Sequence, residues 1–180
     1  QDNSVSCASC HQQVNAFGDQ AIVSEGLNGV TGRHSMRLIN SRFSDEEQFF
    51  WDERAATLEE QSTMPIQDHV EMGFSGTEGD PNFSDLIEKL EAIDYYQELF
   101  TWAYGDMEIT EARMQESLAQ FIRSIQSFDS KYDLGRAQVD NEGQNFSNYS
   151  ALENQGKRFF LDPPDRNGAG CAGCHRPPEF

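Results

Sequence analysis

The sequence predicts an all-α chain, and three observations carry that prediction. Apolar residues recur at helical spacing in several segments, Ser and Thr stand where those segments would start, and no pair of alternating runs carries a hairpin signature. Residues 12–48 read as loop, because Gly18, Gly26, Gly29 and Gly32 punctuate a stretch with little periodicity. A short helix is expected over 53–62, anchored by Leu58 and limited by Pro65. Residues 84–91 read as a helix capped by Ser84, with Leu86, Ile87 and Leu90 on its apolar face. Another covers 94–104, carrying Tyr95, Leu99, Trp102 and Ala103. The strongest signal runs from Thr110 to Phe128: Thr110 caps, Glu111 occupies the first turn, and Met114, Leu118, Phe121, Ile122 and Ile125 form a core-facing stripe. Residues 129–148 are polar and read as an interdomain connection. A last helix begins at Ser150, which has capping-box spacing with Glu153, and it carries Gly156 and Phe160 on one face.

The bulk composition narrows the function. With 31 acidic and 13 basic residues the net charge is -18, which repels nucleic acid and anionic lipid. No run approaches the apolar length of a membrane span. Hydrophobic residues make up 37%, enough for a core in 180 residues, but the mean hydropathy of -0.69 is low. An apolar cofactor would add to what the side chains supply. The chain opens on polar Gln1-Asp2-Asn3-Ser4, reaches its first motif at Cys7 and stops at Phe180, soon after its last. Both ends look cut, so a fragment of a longer, exported protein is expected, its signal peptide not in this chain.

All four cysteines lie in two motifs, Cys7-Ala8-Ser9-Cys10-His11 and Cys171-Ala172-Gly173-Cys174-His175. Cys-x-x-Cys-His reads as covalent c-type haem attachment. Two thiols one turn apart add to the two porphyrin vinyl groups, and the next residue, histidine, is placed under the iron as an axial ligand. A redox disulfide gives that histidine no role and expects a βαβ pattern that is not found. Zinc sites built from two such pairs are normally compact, whereas these stand at opposite ends of the chain. Structural disulfides are the remaining alternative. Two complete motifs with no spare cysteine favour two haems.

A further set of residues resembles the bacterial dihaem cytochrome c peroxidase family, which includes the methylamine-utilisation dihaem enzymes. It comprises Phe50-Trp51-Asp52-Glu53-Arg54-Ala55, Leu58, Gln61, Pro65-Ile66 and Val70-Glu71-Met72-Gly73. Ser6-Cys7, Arg33 to Ser35, Ser127-Phe128-Asp129, Tyr132-Asp133 and Glu153 through Phe160 extend it over nearly the whole chain. The resemblance implies a cytochrome c-like peroxidatic haem domain with long loops over 1–135, lacking its first helix. It also implies a linker and the truncated start of a second, electron-transfer haem domain over 136–180. His11 would be the proximal ligand of the peroxidatic haem and His175 an axial ligand of the second. Glu71 and Gln61 match distal-pocket residues, Phe50 a pocket aromatic, and Trp51 the tryptophan between the two haems. Gly156 and Phe160 match a helix whose small residue lets another helix cross closely.

Two departures matter. The loop Val23-Ser24-Glu25-Gly26-Leu27-Asn28-Gly29 has no histidine where many members use one to close the oxidised iron, so an open iron needing no reductive activation is expected. His34 stands where the family uses an asparagine to bind calcium, which argues against that calcium. The remaining histidine, His69, and Met36, Met64 and Met72 read as polar-loop and packing residues before they read as iron ligands.

Peroxide cleavage needs a group that moves a proton between the two oxygens, and a carboxylate in an apolar pocket has the raised pKa that suits it. Glu71 is the candidate. Gln61 does not titrate, but its amide can orient peroxide. The expected activity is periplasmic reduction of hydrogen peroxide to water, with electrons from a small cytochrome or copper protein; a homodimer is left open. A dihaem oxidase acting on a partner protein and a non-catalytic dihaem electron carrier are the alternatives.

Overall fold

The computed structural model describes residues 3–44 and 48–177, so Gln1-Asp2 and Phe180, at the two chain ends, lie outside the described residues. Seven α-helices and four short 3-10 turns make up the regular structure among these residues, the α-helices being α1 Cys7–Cys10, α2 Leu58–Thr63, α3 Phe83–Glu91, α4 Asp94–Tyr104, α5 Glu111–Ser124, α6 Lys131–Arg136 and α7 Ala151–Leu161. Pairing between extended segments is limited to isolated bridges, Gln12 with Gly18, Glu25 with Val30 and Phe49 with Ala55. The all-α expectation holds.

The chain forms two compact units, Gln1–Ile125 and Gln126–Phe180. Residues 126–135, expected at the end of the first domain, pack with the second unit, through Tyr132 against Phe146 and Lys131 against Glu153.

In the first unit α5 is the spine. Thr110 caps it by accepting from the Arg113 amide, as expected. The helix ends at Ser124, however, and only part of its stripe is buried. Ala119 and Ile122 pack with Leu58 of α2, while Phe121 faces solvent. A second cluster joins Ile66, Phe74 and Phe83, with Met72, Leu86, Met114 and Leu118 against it. The cap of α3 is Asn82, which accepts from the Ser84 and Asp85 amides while Asp85 returns a bond to the Asn82 amide. The helix therefore starts before the predicted Ser84, and Phe83 is buried at its head.

Residues 53–57 are not helical. The chain reverses between Phe49 and Ala55, with Phe50 and Glu53 at φ 73° and 57°, and Thr57 then caps α2. Six residues cannot hold a helix alone. Here Arg123 of α5 grips Glu59 with two hydrogen bonds of 2.6 and 3.0 Å, and the buried Thr63 hydroxyl bonds Glu111 and receives the Gln115 amide.

The second unit is organised by Asn154 on α7. It is buried, accepts from the Phe146 amide at 2.8 Å and donates to the Phe146 carbonyl at 3.0 Å. Phe146 is fully buried and packs edge-on to Tyr132 and Tyr149. The Ser150–Glu153 capping box forms as predicted. Helix α6, within the stretch read as linker, has the same device in Ser130 and Asp133. Its Gly135 is required by packing, since a Cβ there would lie 2.6 Å from the Phe146 ring and 2.4 Å from Asn148 Oδ1.

Candidate functional site

The two Cys-x-x-Cys-His motifs fold alike. Cys7–Cys10 makes one helical turn, Cys171–Gly173 one tighter turn, and in each the histidine amide donates back to the first cysteine carbonyl at 2.8 Å. That closing bond puts both sulfurs and the imidazole on one short segment, the arrangement thioether attachment and axial ligation require. All four cysteines are free thiols.

The first motif has a built ligand environment. His11 Nδ1 lies 3.0 Å from the Phe17 carbonyl oxygen. A carbonyl only accepts, so Nδ1 carries the proton and Nε2 keeps its lone pair for a metal. The turn that delivers this carbonyl is strained: Ala16 and Phe17, neither a glycine, both sit at φ 57°. It is held shut by the Gln12 amide on Gly18 and the Phe17 amide on Gln12. Strain concentrated at the turn that orients the histidine is what a ligand site predicts. Cys10 is fixed from behind by the Ser35 hydroxyl on its carbonyl. These donors fit a covalently attached haem, held by Cys7 and Cys10 and ligated by His11. The donor set Cys171, Cys174 and His175 fits a second.

Glu71 is half-buried, and its carboxyl is pushed above the usual range, first by loss of solvent and then by Asp68, against an opposing pull from Arg54. It lies near the first motif. The Cys10 thiol is raised chiefly by burial, and the charges of Asp19 and Glu71 raise it further while a bond with Ser24 lowers it. The segment 24–31 forms a finger: Glu25 pairs with Val30, the Thr31 amide bonds Ser24, and the buried Ser24 hydroxyl bonds Asp19. Its tip reaches residues 69–71, where the Leu27 amide donates to Glu71 and the Asn28 amide to Val70.

The other predicted residues are placed as follows. Gln61 is half-buried on α2, and no hydrogen bond joins its side chain to Glu71. Phe50 is half-buried under the Arg54 guanidinium, which stands 3.5 Å from the ring centroid. Arg54 thus connects Phe50 with Glu71, a role sequence reading did not give it. Trp51 is 61% exposed on the first unit, and its Nε1 donates to the His34 carbonyl at 2.8 Å. His34 itself is held through Nδ1 to the Ala21 carbonyl. Asp19, Ser24 and Asn28 were not singled out either. Only the loop's glycines hinted at a close backbone approach there.

Against known proteins, residues 1–140 match the family model described as di-haem cytochrome c peroxidase. The chain is 30% identical to a methylamine utilization protein MauG of Methylophilus methylotrophus, covering 95% of the chain and 46% of that protein. It is 30% identical to a cytochrome c551 peroxidase of Nitrosomonas europaea (97% and 46%) and 29% identical to the cytochrome c peroxidase Ccp of Escherichia coli K12 (97% and 33%). A crystal structure of a MauG-like protein associated with microbial copper homeostasis superposes with a TM-score of 0.75 at 28% identity, over 95% of this chain and 46% of that one. The chain spans less than half the length of these relatives.

Proposed function

The chain belongs to the di-haem cytochrome c peroxidase family, and from that premise we propose that it serves a periplasmic peroxidase. The reaction is reduction of hydrogen peroxide by two electrons and two protons to two waters. The electrons come from a small cytochrome or copper protein, and Cys171, Cys174 and His175 would hold the second haem that supplies the redox chemistry for them. The observation that carries this reading is Glu71: a half-buried carboxyl with a raised pKa, clasped beside the first Cys-x-x-Cys-His motif. No described helix is long and apolar enough to cross a membrane.

A haem bound at each motif supplies the redox chemistry. The chain's residues do the rest. His11, with Nδ1 committed to Phe17, would offer Nε2 to the iron of a bound haem. Glu71 accepts the proton of one peroxide oxygen and returns it to the departing one, a role that a carboxyl raised by burial suits. The Gln61 amide, with no hydrogen-bond partner among the described residues, orients peroxide by donating to it. The finger around Leu27, bonded to the Glu71 carbonyl, keeps water from Glu71 and so maintains its desolvation.

The test is Glu71→Gln in the dihaem holoprotein. Peroxide turnover falls by about 10²–10⁴-fold, the usual contribution of a positioned acid–base group, with the optical spectrum unchanged. Unchanged turnover rejects the role. A second reading, an oxidase acting on a partner protein, is favoured by the likeness to MauG and by the absence of histidine from residues 23–29. Peroxide turnover with reduced small donor proteins, fast in the first case and slow in the second, separates the two.

A further inference from the structure

The clasp on Glu71 depends on one side chain outside every motif. Asn28 Nδ2 donates to the His69 carbonyl at 2.8 Å and lies 3.5 Å from His69 Nδ1, and the Asn28 main-chain amide donates to Val70 at 3.2 Å. His69 is tied through Nδ1 to Asp80 at 2.9 Å, and the Ser75 hydroxyl bonds the same carboxylate oxygen at 2.8 Å. Asn28 also helps to hold the Asp80 carboxyl below its ordinary value, after His69 and Ser75. From below, Asp68 Oδ1 accepts from the Val70 and Glu71 amides at 2.8 and 3.0 Å.

The main chain at Glu71 is therefore held at both ends of its peptide units: its amide by Asp68, its carbonyl by Leu27. Met72, the next residue, is packed into the core. The finger tip cannot drift, because Gly26 lies directly on the Val70–Glu71 peptide, where a Cβ would come 2.1 Å from the Val70 oxygen.

We propose that Asn28 is a positioning residue for Glu71, locking the finger at 24–31 onto residues 69–71 so that the carboxylate projects from a fixed main chain. The inference rests on the acid–base role of Glu71. A finger without this lock leaves Glu71 more solvated and its main chain free to sample other positions. Asn28 is suited to the task because its side-chain amide can donate to the His69 carbonyl while its own main-chain amide serves Val70; a carboxylate of the same shape has no donor for that carbonyl.

The test compares Asn28→Ala and Asn28→Asp with the parent dihaem holoprotein by hydrogen exchange and by cyanide binding across pH. Cyanide enters as the neutral acid and leaves its proton with the distal base, so its binding profile reports Glu71. The expected result is about tenfold faster exchange over 24–31 and 66–74, with α5 unaffected, from the loss of these bonds. The midpoint of the cyanide profile moves at least about half a pH unit toward the ordinary carboxylate range. Asn28→Asp gives the same pattern in a protein of unaltered shape. Unchanged exchange over 24–31 overturns the lock. Faster exchange with an unmoved cyanide profile, where Glu71→Gln does abolish that profile, overturns the positioning role alone. A profile indifferent to Glu71→Gln overturns the acid–base reading, and the positioning role with it.

Discussion

The main-chain amide of Leu27 donates to the carbonyl of Glu71 at 2.9 Å, joining the loop after the first motif to the one carboxylate expected to do acid–base work. Nothing local in the sequence pairs these residues. The bond exists because Gly26 lets one backbone lie on another, and that dependence can be tested without any haem chemistry.

Gly26→Ala places a methyl group 2.1 Å from the Val70 oxygen and 2.9 Å from its carbonyl carbon. Both are backbone atoms, so no rotamer change relieves the clash. The expected cost is about 1–3 kcal/mol, the range for overpacking, measured by urea unfolding. Gly32→Ala is the control: its Cβ meets nothing within 4 Å, and the change stays within about 0.5 kcal/mol. Equal effects at the two positions would contradict the close approach.

Replacing the cysteines tests the cofactor count. The dihaem holoprotein is expected to yield two haems per chain by pyridine haemochrome assay, and Cys7→Ala with Cys10→Ala to yield one. Cys171→Ala with Cys174→Ala also yields one, and peroxide turnover with a reduced donor is then lost. Two haems remaining in either variant would remove the motif concerned from the attachment chemistry.

The pairing of Arg123 with Glu59 fixes α2, and with it Gln61. Both side chains are 31% exposed, so the bidentate pair is expected to contribute only about 1 kcal/mol in a double-mutant cycle. Glu59 is held below its ordinary value of 4.5, first by its hydrogen bond with Arg123. A depressed carboxyl stabilises the fold above its unfolded value and loses that contribution as pH falls through the lower folded value. Unfolding free energy therefore declines on acidification below pH 4.5, and Arg123→Met reduces the decline. An unchanged acid slope in Arg123→Met sinks this assignment.

Some of this organisation was legible in the sequence and some was not, for physical reasons that differ by residue. The helix at 94–104 was visible from apolar spacing alone, its N-cap being Ile93, whereas at Ser150 cap and spacing agree. The start of α3 was misplaced because Asn82 and Ser84 are both good caps, and burial of Phe83 decides between them. Residues 53–57 carry helix-forming side chains yet turn back, since tertiary pairing of Phe49 with Ala55 outweighs weak local propensity. Helix α6 was hidden by its polar composition and by Gly135, although Ser130 and Asp133 had the capping spacing. At the site, the motifs marked both attachment turns, and Glu71 could be named only through resemblance. Arg54 stood in the matching motif without a role, and Asn28 left no signal, because its role comes from contacts with residues distant in sequence.

The His69–Asp80 pair gives a second, opposite pH signature. His69 is raised above 6.5, first by its hydrogen bond with Asp80 and also by the charges of Asp80, Glu78 and Asp68. A raised histidine contributes stability that is fully present below its unfolded value and is lost as pH rises through the folded value. Asp80 is lowered by the same bond, so its own contribution fades only in acid, below 3.8. Urea unfolding should show stability falling from pH 6 to pH 8.5, and His69→Gln should flatten that fall. A slope of the same size in His69→Gln would show that another group carries it.

Two neighbouring positions of α7 are expected to respond in opposite directions. Asn154→Ala leaves the Phe146 amide, in the interior of the second unit, without its partner, while the Phe146 carbonyl keeps the Tyr149 amide. An orphaned buried amide costs about 1–3 kcal/mol, so the variant is expected to lose at least about 1 kcal/mol in thermal unfolding. Gly156, two residues on, is a helix-interior glycine whose Cβ would meet nothing within 4 Å. In this chain Gly156→Ala should therefore stabilise by about 0.5–1 kcal/mol through the lower entropy of the unfolded state. If a second helix crosses α7 at this residue, as the likeness to cytochrome domains implies, the same methyl group meets that helix in a chain that contains it, and the sign reverses. Measuring Gly156→Ala in both chains thus reports whether the open face of α7 is a crossing point, independently of haem content or activity.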